Sequence, residues 1–95
     1  MSEIKVFKLQ SIDDEIIARK RADTQTNTVV LEQPMNIVKV PPDSSGRIGI
    51  IFVPWIMGAN DDVAVTISRD HILAEVDPKD SIEKSYLSKI TGLTL

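Results

Sequence analysis

The sequence predicts a mainly β domain, built as a small, strongly bent, five-stranded barrel with an extended hairpin and a short C-terminal helix. Three observations support this prediction. Short segments of alternating apolar and polar residues recur between turn-forming clusters, which is the pattern of half-buried strands. The alternation changes parity across residues 68–71, so the chain should bend sharply there. After residue 79 the apolar residues recur at helical spacing.

Length and composition limit the kinds of protein this can be. A chain of 95 residues fits one domain with a modest core, so we expect a single domain over residues 1–95, with the barrel over about 3–78 and the helix over about 80–91. Cysteine, a long apolar run and a signal peptide are all missing, so we expect a cytoplasmic protein without membrane contact. A net charge of −3 argues against nucleic-acid binding over the whole surface but allows a local patch.

The first half of the chain reads as three strands. Residues 4–10 form the first strand and a turn follows. Residues 15–22 form either a second strand or a helix capped by Asp13 or Asp14. The polar residues 23–27 favour a hairpin connection to a long strand over residues 28–40. Pro34 lacks the amide that a ladder needs, so this strand must be at an edge, bulged or bent there.

Residues 41–46 form a loop, and residues 47–57 are apolar on both parities. Such a strand is buried on both faces, or has one face on the core and the other against a second subunit. Because 95 residues cannot easily cover both faces, we favour the subunit contact. Another turn over residues 58–62 leads into the last two strands, which meet at residues 68–71, here called the corner. The corner contains the only histidine and one of four arginines.

The C-terminal segment differs from the rest of the chain. Asp80 is suited to cap a helix, with Glu83 completing a capping box. Ile82, Tyr86 and Ile90 follow at helical spacing, and Gly92 suits the C-terminal cap. One short amphipathic helix is therefore expected to lie on the barrel or on a neighbouring subunit.

Several segments together resemble the Sm-like family. IKVFKLQ, a turn and EIIARKRAD resemble its first two strands, the second of which ends in Asp, here Asp23. TVVLEQP resembles the third strand, and VTISRDHILAEVDP is similar to the final pair, where the bacterial Hfq members carry Tyr-Lys-His. Arg69, Asp70 and His71 fall on those three residues. The pattern also resembles small Sm-like proteins of tailed phages of the cyanophage type, which implies a phage protein in the host cytoplasm.

The chain departs from the family at several positions. Asp70 stands at the position of a lysine, the glycine usual after the first turn is absent, and residues 35–62 would be a long elaboration. A second register is also open, because EQPMNI at residues 32–37 is similar to the eukaryotic motif Asp-x-x-Met-Asn-Leu. In that register Asn36 would contact a base, and Pro34 would stand where an aromatic residue normally stacks.

The resemblance implies a non-enzymatic ring that binds single-stranded RNA or DNA and acts in nucleic-acid processing or regulation. Family members join the fourth strand of one subunit to the fifth of the next, and their loops around the pore contact the bases. The implied nucleic-acid contacts are Asp23, Gln25, Asn27, Arg69 and His71. Structural alternatives remain: plain turn residues for the first loop, and at the corner an ion pair of Arg69 with Asp70 or Asp77, or a His71 side chain that fixes the subunit junction.

The expected subunit interface consists of apolar residues of the 47–57 segment and of the last two strands. These are Ile51, Phe52, Val53, Trp55, Ile67 and Ile72. The competing interpretation is a structural ring that binds another protein through residues 48–57 and never contacts nucleic acid. With one histidine, no cysteine and no nucleophile or phosphate-loop motif, the sequence predicts no enzyme, no metal site and no cofactor.

Overall fold

A computed structural model describes residues 3–21, 27–40, 44–46, 49–60 and 63–91. It contains six strands: β1 (Glu3–Leu9), β2 (Glu15–Arg21), β3 (Thr28–Val40), β4 (Gly49–Pro54), β5 (Ala64–Ser68) and β6 (Ile72–Val76). A short 3-10 turn (Arg69–His71) joins β5 to β6, and one helix, α1 (Asp80–Thr91), follows. The mainly β prediction with a C-terminal helix is confirmed. No helix in the described ranges is long and apolar enough to cross a bilayer.

The segment that could have been a helix is the central strand β2. It pairs antiparallel with β1 on one side and with β3 on the other. Ile16 and Ile17 are adjacent in the chain, point to opposite faces of the sheet, and are both fully buried. Two consecutive β-branched residues with both faces covered favour a strand, and this outweighs the capping signal of Asp13 and Asp14.

All six strands pair in one antiparallel sheet, in the order β4-β3-β2-β1-β6, with β5 on β3. β3 is 13 residues long and changes its outer partner halfway. Its first half pairs with β5 and its second half with β4, which together with β3 forms the extended hairpin. Among the described residues, no ladder joins β5 to β6.

The partner change in β3 coincides with a β-bulge at Gln33 and Pro34. Ile17 pairs with Met35 and Arg19 with Glu32, so two residues of β3 oppose one residue of β2. Gln33 has a φ of 51°, in the left-handed region. The prediction that Pro34 lies at a bulge, bend or edge is therefore confirmed as a bulge within a central strand.

The sheet is apolar on both faces, and each face has its own core. The inner cluster has its buried side chains on β1, β2 and β3: Phe7, Leu9, Ile16, Ala18, Val29 and Leu31. Four partly buried residues pack against it: Ile12, Trp55, Ile67 and Ile72. The outer cluster lies between the sheet and α1: Val6, Ile17, Met35 and Tyr86, with Ile4, Ile37, Phe52, Ile82 and Ile90. Each buried side chain of this size contributes roughly 1.5–3 kcal/mol, so these clusters dominate the stability.

Tyr86 connects α1 to the bulge. Its ring is fully buried and lies edge-on to Phe52, with a centroid distance of 6.3 Å. Its hydroxyl donates to the carbonyl of Gln33 at 2.8 Å and lies 3.2 Å from that of Glu32. Burial raises the pKa of Tyr86 to about 12, and the nearby charge of Arg19 opposes this.

The start of α1 differs by one position from the prediction. The amide of Glu83 donates to the carbonyl of Lys79 at 2.9 Å, so Lys79 occupies the capping position and Asp80 is the first helical residue. Asp80 and Glu83 still lie in the first turn, where negative charge suits the helix dipole. The predicted cap Gly92 lies outside the described residues.

Tyr86 should make the protein sensitive to alkaline pH. Because its folded pKa of about 12 lies above the ordinary 10.0, the folded chain keeps a proton that the unfolded chain releases. Stability from this group is complete below pH 10 and falls as the pH rises through 12. An absorbance titration of tyrosinate should therefore have its midpoint near 12 in buffer and near 10 in denaturant.

Tyr86 is the only tyrosine, so the signal reports this residue alone. Tyr86→Phe is the control: it should abolish the absorbance change and lower the free energy of unfolding by about 1–2 kcal/mol, because the carbonyls at the bulge lose their donor. A midpoint near the ordinary tyrosine value in the folded protein would contradict the burial of the hydroxyl.

Candidate nucleic-acid interface

The corner forms because Ser68 caps the 3-10 turn. Its Oγ accepts a hydrogen bond from the amide of Asp70 at 3.3 Å, and the amide of Ile72 donates to the carbonyl of Arg69. Serine in extended backbone before a turn is a typical N-cap. The sharp bend predicted from the change of parity is therefore confirmed, and the turn projects three consecutive exposed side chains, Arg69, Asp70 and His71.

Two backbone hydrogen bonds fix the corner to distant parts of the sheet. The amide of Arg69 donates to the carbonyl of Asn27 at 2.9 Å, beside the start of β3. The amide of Gln10, after β1, donates to the carbonyl of His71 at 2.7 Å. The structure thus places the predicted contacts Asn27, Arg69 and His71 at one end of the sheet, all exposed. The other two, Asp23 and Gln25, lie outside the described residues.

Arg69 has no ion pair within the described part of the chain. Of the two partners that the structural alternative proposed, Asp77 pairs instead with Lys5, and Asp70 forms no ion pair among the described residues. The hydrogen bond to Asp77 is the largest cause that raises the pKa of Lys5; desolvation opposes it, and the charges of Asp77 and Glu3 add to the increase. The guanidinium of Arg69 is therefore available to a ligand, and the carboxylate of Asp70 lies next to it in the chain.

The β2 cluster, the consecutive cations Lys20 and Arg21 at the end of β2, is paired with acidic side chains of the same chain. Lys20 forms an ion pair with Glu75 at 3.1 Å, and Arg21 forms one with Glu32 at 2.8 Å. Exposed or half-exposed pairs of this kind contribute only about 0–1 kcal/mol to stability. Their main consequence is that these cations are paired within the chain, so the β2 cluster is a poor candidate for phosphate contacts.

Four of the predicted interface residues pack within the chain. Phe52 contacts Tyr86 in the outer core, and Trp55, Ile67 and Ile72 pack against the inner core. α1 covers the face of β4 that carries Phe52, and the subunit contact expected for this strand stays a prediction. Val53 is half-buried, and Ile51 is 47% exposed.

Other exposed apolar side chains were missed at the sequence level. Leu73 and Val76 on β6 are 68% and 55% exposed, and Met57 after β4 is 75% exposed. β6 pairs with β1 on one side and, among the described residues, has no strand on the other. The signal for Leu73 was its position on the polar parity of β6, beside Glu75, which indicates an outward-facing side chain.

Neither a protein-family model nor a curated protein sequence matches this chain. In the described ranges, no three histidine or acidic side chains converge as a metal site would require. The candidate interface, the corner with Asn27, therefore rests on the resemblance and on the hydrogen bond that brings the two segments together.

The two faces of β4 should respond differently to truncation. Phe52→Ala removes a ring packed on Tyr86 and should lower the free energy of unfolding by about 2–4 kcal/mol. The adjacent Ile51→Ala, on the exposed face, is the matched control and should change it by less than about 0.5 kcal/mol. Urea denaturation measures both, and equal losses would contradict the assignment of the two faces.

Proposed function

We propose that the chain is a non-enzymatic Sm-like protein that assembles into a ring in a cytoplasm, in a phage-infected host if it is phage-encoded. It binds single-stranded RNA or DNA at the corner and acts in nucleic-acid processing or regulation. The observation that carries the proposal is the hydrogen bond from the Arg69 amide to the Asn27 carbonyl at 2.9 Å. It joins two segments, far apart in the chain, that the resemblance assigns to one binding site.

The exposed side chains at this end have suitable chemistry for a single strand. A guanidinium such as that of Arg69 stacks on a base and neutralises a phosphate. His71 stacks or donates a hydrogen bond, and the amide of Asn27 suits a base edge. Asp70 opposes phosphate binding, which predicts weak affinity per subunit. A ring compensates for this by presenting several corners to one strand.

Two strand edges support the ring. β5 pairs with β3 and β6 with β1, and in the described part of the chain their other edges have no strand. Unpaired edges favour addition of a strand from another chain. Pairing β5 of one subunit with β6 of the next would occupy both edges and cover Leu73.

The nucleic-acid proposal is tested by fluorescence anisotropy with short U-rich and A-rich single strands at low salt. The combined Arg69→Ala and His71→Ala variant should lose at least about tenfold in affinity, and binding should weaken as salt rises. Asp70→Lys should bind more tightly than the wild type. Lys84→Ala is the control. It removes one positive charge, as Arg69→Ala does, but on α1, and it should have little effect on binding.

Absence of binding to every single strand, or an equal loss in Lys84→Ala, would contradict the proposal. The alternative would then gain support: a ring that binds another protein through its apolar segment and does not contact nucleic acid. Exposed Ile51, Ile56 and Met57, within residues 49–57, favour it.

The ring is tested separately by light scattering. We expect a mass several times the 10.5 kDa of one chain. Leu73→Asp should lower that mass by placing a carboxylate at the β6 edge, while Met57→Asp, at an exposed position after β4, should leave it unchanged. A monomeric wild type at working concentration would contradict the assembly.

A further inference from the structure

A groove lies on the opposite side of β1 from the inner core, beside the start of α1. It has a volume of about 510 Å³ and is bordered by the β1–β2 turn, the β3–β4 hairpin and the segment between β6 and α1. Ligand sites in proteins have volumes of about 300–1,000 Å³. The groove is therefore large enough for a few side chains of a partner.

The floor of the groove is aliphatic and incompletely covered. Ile37, Ile50 and Ile82 are half-buried, and Val76 is 55% exposed. They lie on four elements, β3, β4, α1 and β6, which leave these side chains partly exposed to solvent. Ile50 is not among the side chains that pack against either core cluster in the described residues. This leaves apolar surface at a concave site, which favours an apolar ligand group.

One side of the groove is acidic. Asp13, Asp14 and Glu15 are consecutive and line it, and none of their carboxylates forms an ion pair within the described residues. The Lys8 side chain donates to the backbone carbonyl of Asp13 at 2.8 Å, which holds this turn against β1. Across the groove, Asp77 is paired with Lys5. The carboxylates therefore form an exposed, negatively charged border.

The remaining cations of the border are separate from one another. Lys39 lies on β3 and Lys79 precedes α1, so among the described residues that line the groove the only contiguous charge is negative. Such a border repels phosphate, which argues against a nucleic acid or an anionic lipid as the occupant. Charge complementarity instead favours a cation held beside an aliphatic group.

We propose that this groove binds a short peptide segment of another protein, with an aliphatic side chain on the isoleucine floor and flanking lysines or arginines facing Asp13, Asp14 and Glu15. The site is independent of the corner, because no residue of the corner lines the groove. A nucleic-acid-binding ring with this groove would also recruit a protein partner through a basic, apolar motif.

The test uses three end-blocked synthetic peptides and titration followed by NMR of the full-length chain. Lys-Ile-Lys-Leu-Lys should bind at least about tenfold more tightly than either of the other two peptides. Glu-Ile-Glu-Leu-Glu reverses the charge, and Lys-Ser-Lys-Ser-Lys lacks the aliphatic groups. Its shift changes should map to the groove. Equal binding of the two lysine peptides would overturn the proposal, because charge alone would then explain it.

Variants separate the site from general attraction to an acidic protein. Asp14→Lys and Ile50→Ser should each weaken the first peptide at least about fivefold. Asp70→Lys is the matched control, since it makes the same charge change at the corner and should leave peptide affinity within about twofold. An equal loss in Asp70→Lys would overturn the proposal.

Two further measurements keep the proposal distinct from its competitors. Light scattering should give Ile50→Ser the same mass as the wild type. A lower mass would show that a second copy of the chain fills the groove and would overturn the proposal. Ile50→Ser should also retain oligonucleotide binding, so the peptide site and the nucleic-acid site fail or succeed independently.

Discussion

The bulge at Gln33 and Pro34, held by the hydroxyl of Tyr86, is the constraint on which the rest of the structure depends. It lets one strand serve two partners, because β3 pairs with β5 before it and with β4 after it. A proline in a central strand would otherwise leave carbonyls without donors. The amide of Trp55, after β4, donates to the carbonyl of Pro34 at 3.1 Å. The amide of Gln33 donates to the carbonyl of Val63, before β5, at 2.8 Å. The ends of β4 and β5 and the helix α1 therefore meet at the bulge.

This arrangement explains how a small chain covers both faces of its sheet. The bend carries β5 and the corner over the inner face, and α1 closes the outer face around Tyr86. The elements at the two ends of β3 then become rigid supports for surface side chains. At one end the corner presents Arg69 and His71, and at the other the β3–β4 hairpin borders the acidic groove.

Local signals predicted much of the fold and fewer of the long-range contacts. Alternation and turn residues placed the strands, the change of parity placed the corner, and Pro34 marked the bulge. What covers a strand is not a local property, so the two-sided apolar pattern of residues 47–57 could not show that α1 covers the face with Phe52. For the candidate site, the residue types of Asn27, Arg69 and His71 were apparent, but the hydrogen bond that joins their segments connects residues 27 and 69 and has no sequence signature.

The pairing of β1 with β6 has a consequence for synthesis of the chain. Val6 pairs with Val76, so the first strand waits for its partner until residue 76 has left the ribosome. Tyr86 emerges later still, and until then the carbonyls of Glu32 and Gln33 lack their donor. Folding of such long-range sheets is slow because loop closure precedes the stabilising contacts. The fold therefore completes only after residue 86 has been synthesised, and until residue 76 emerges the unpaired edge of β1 is open to misassembly.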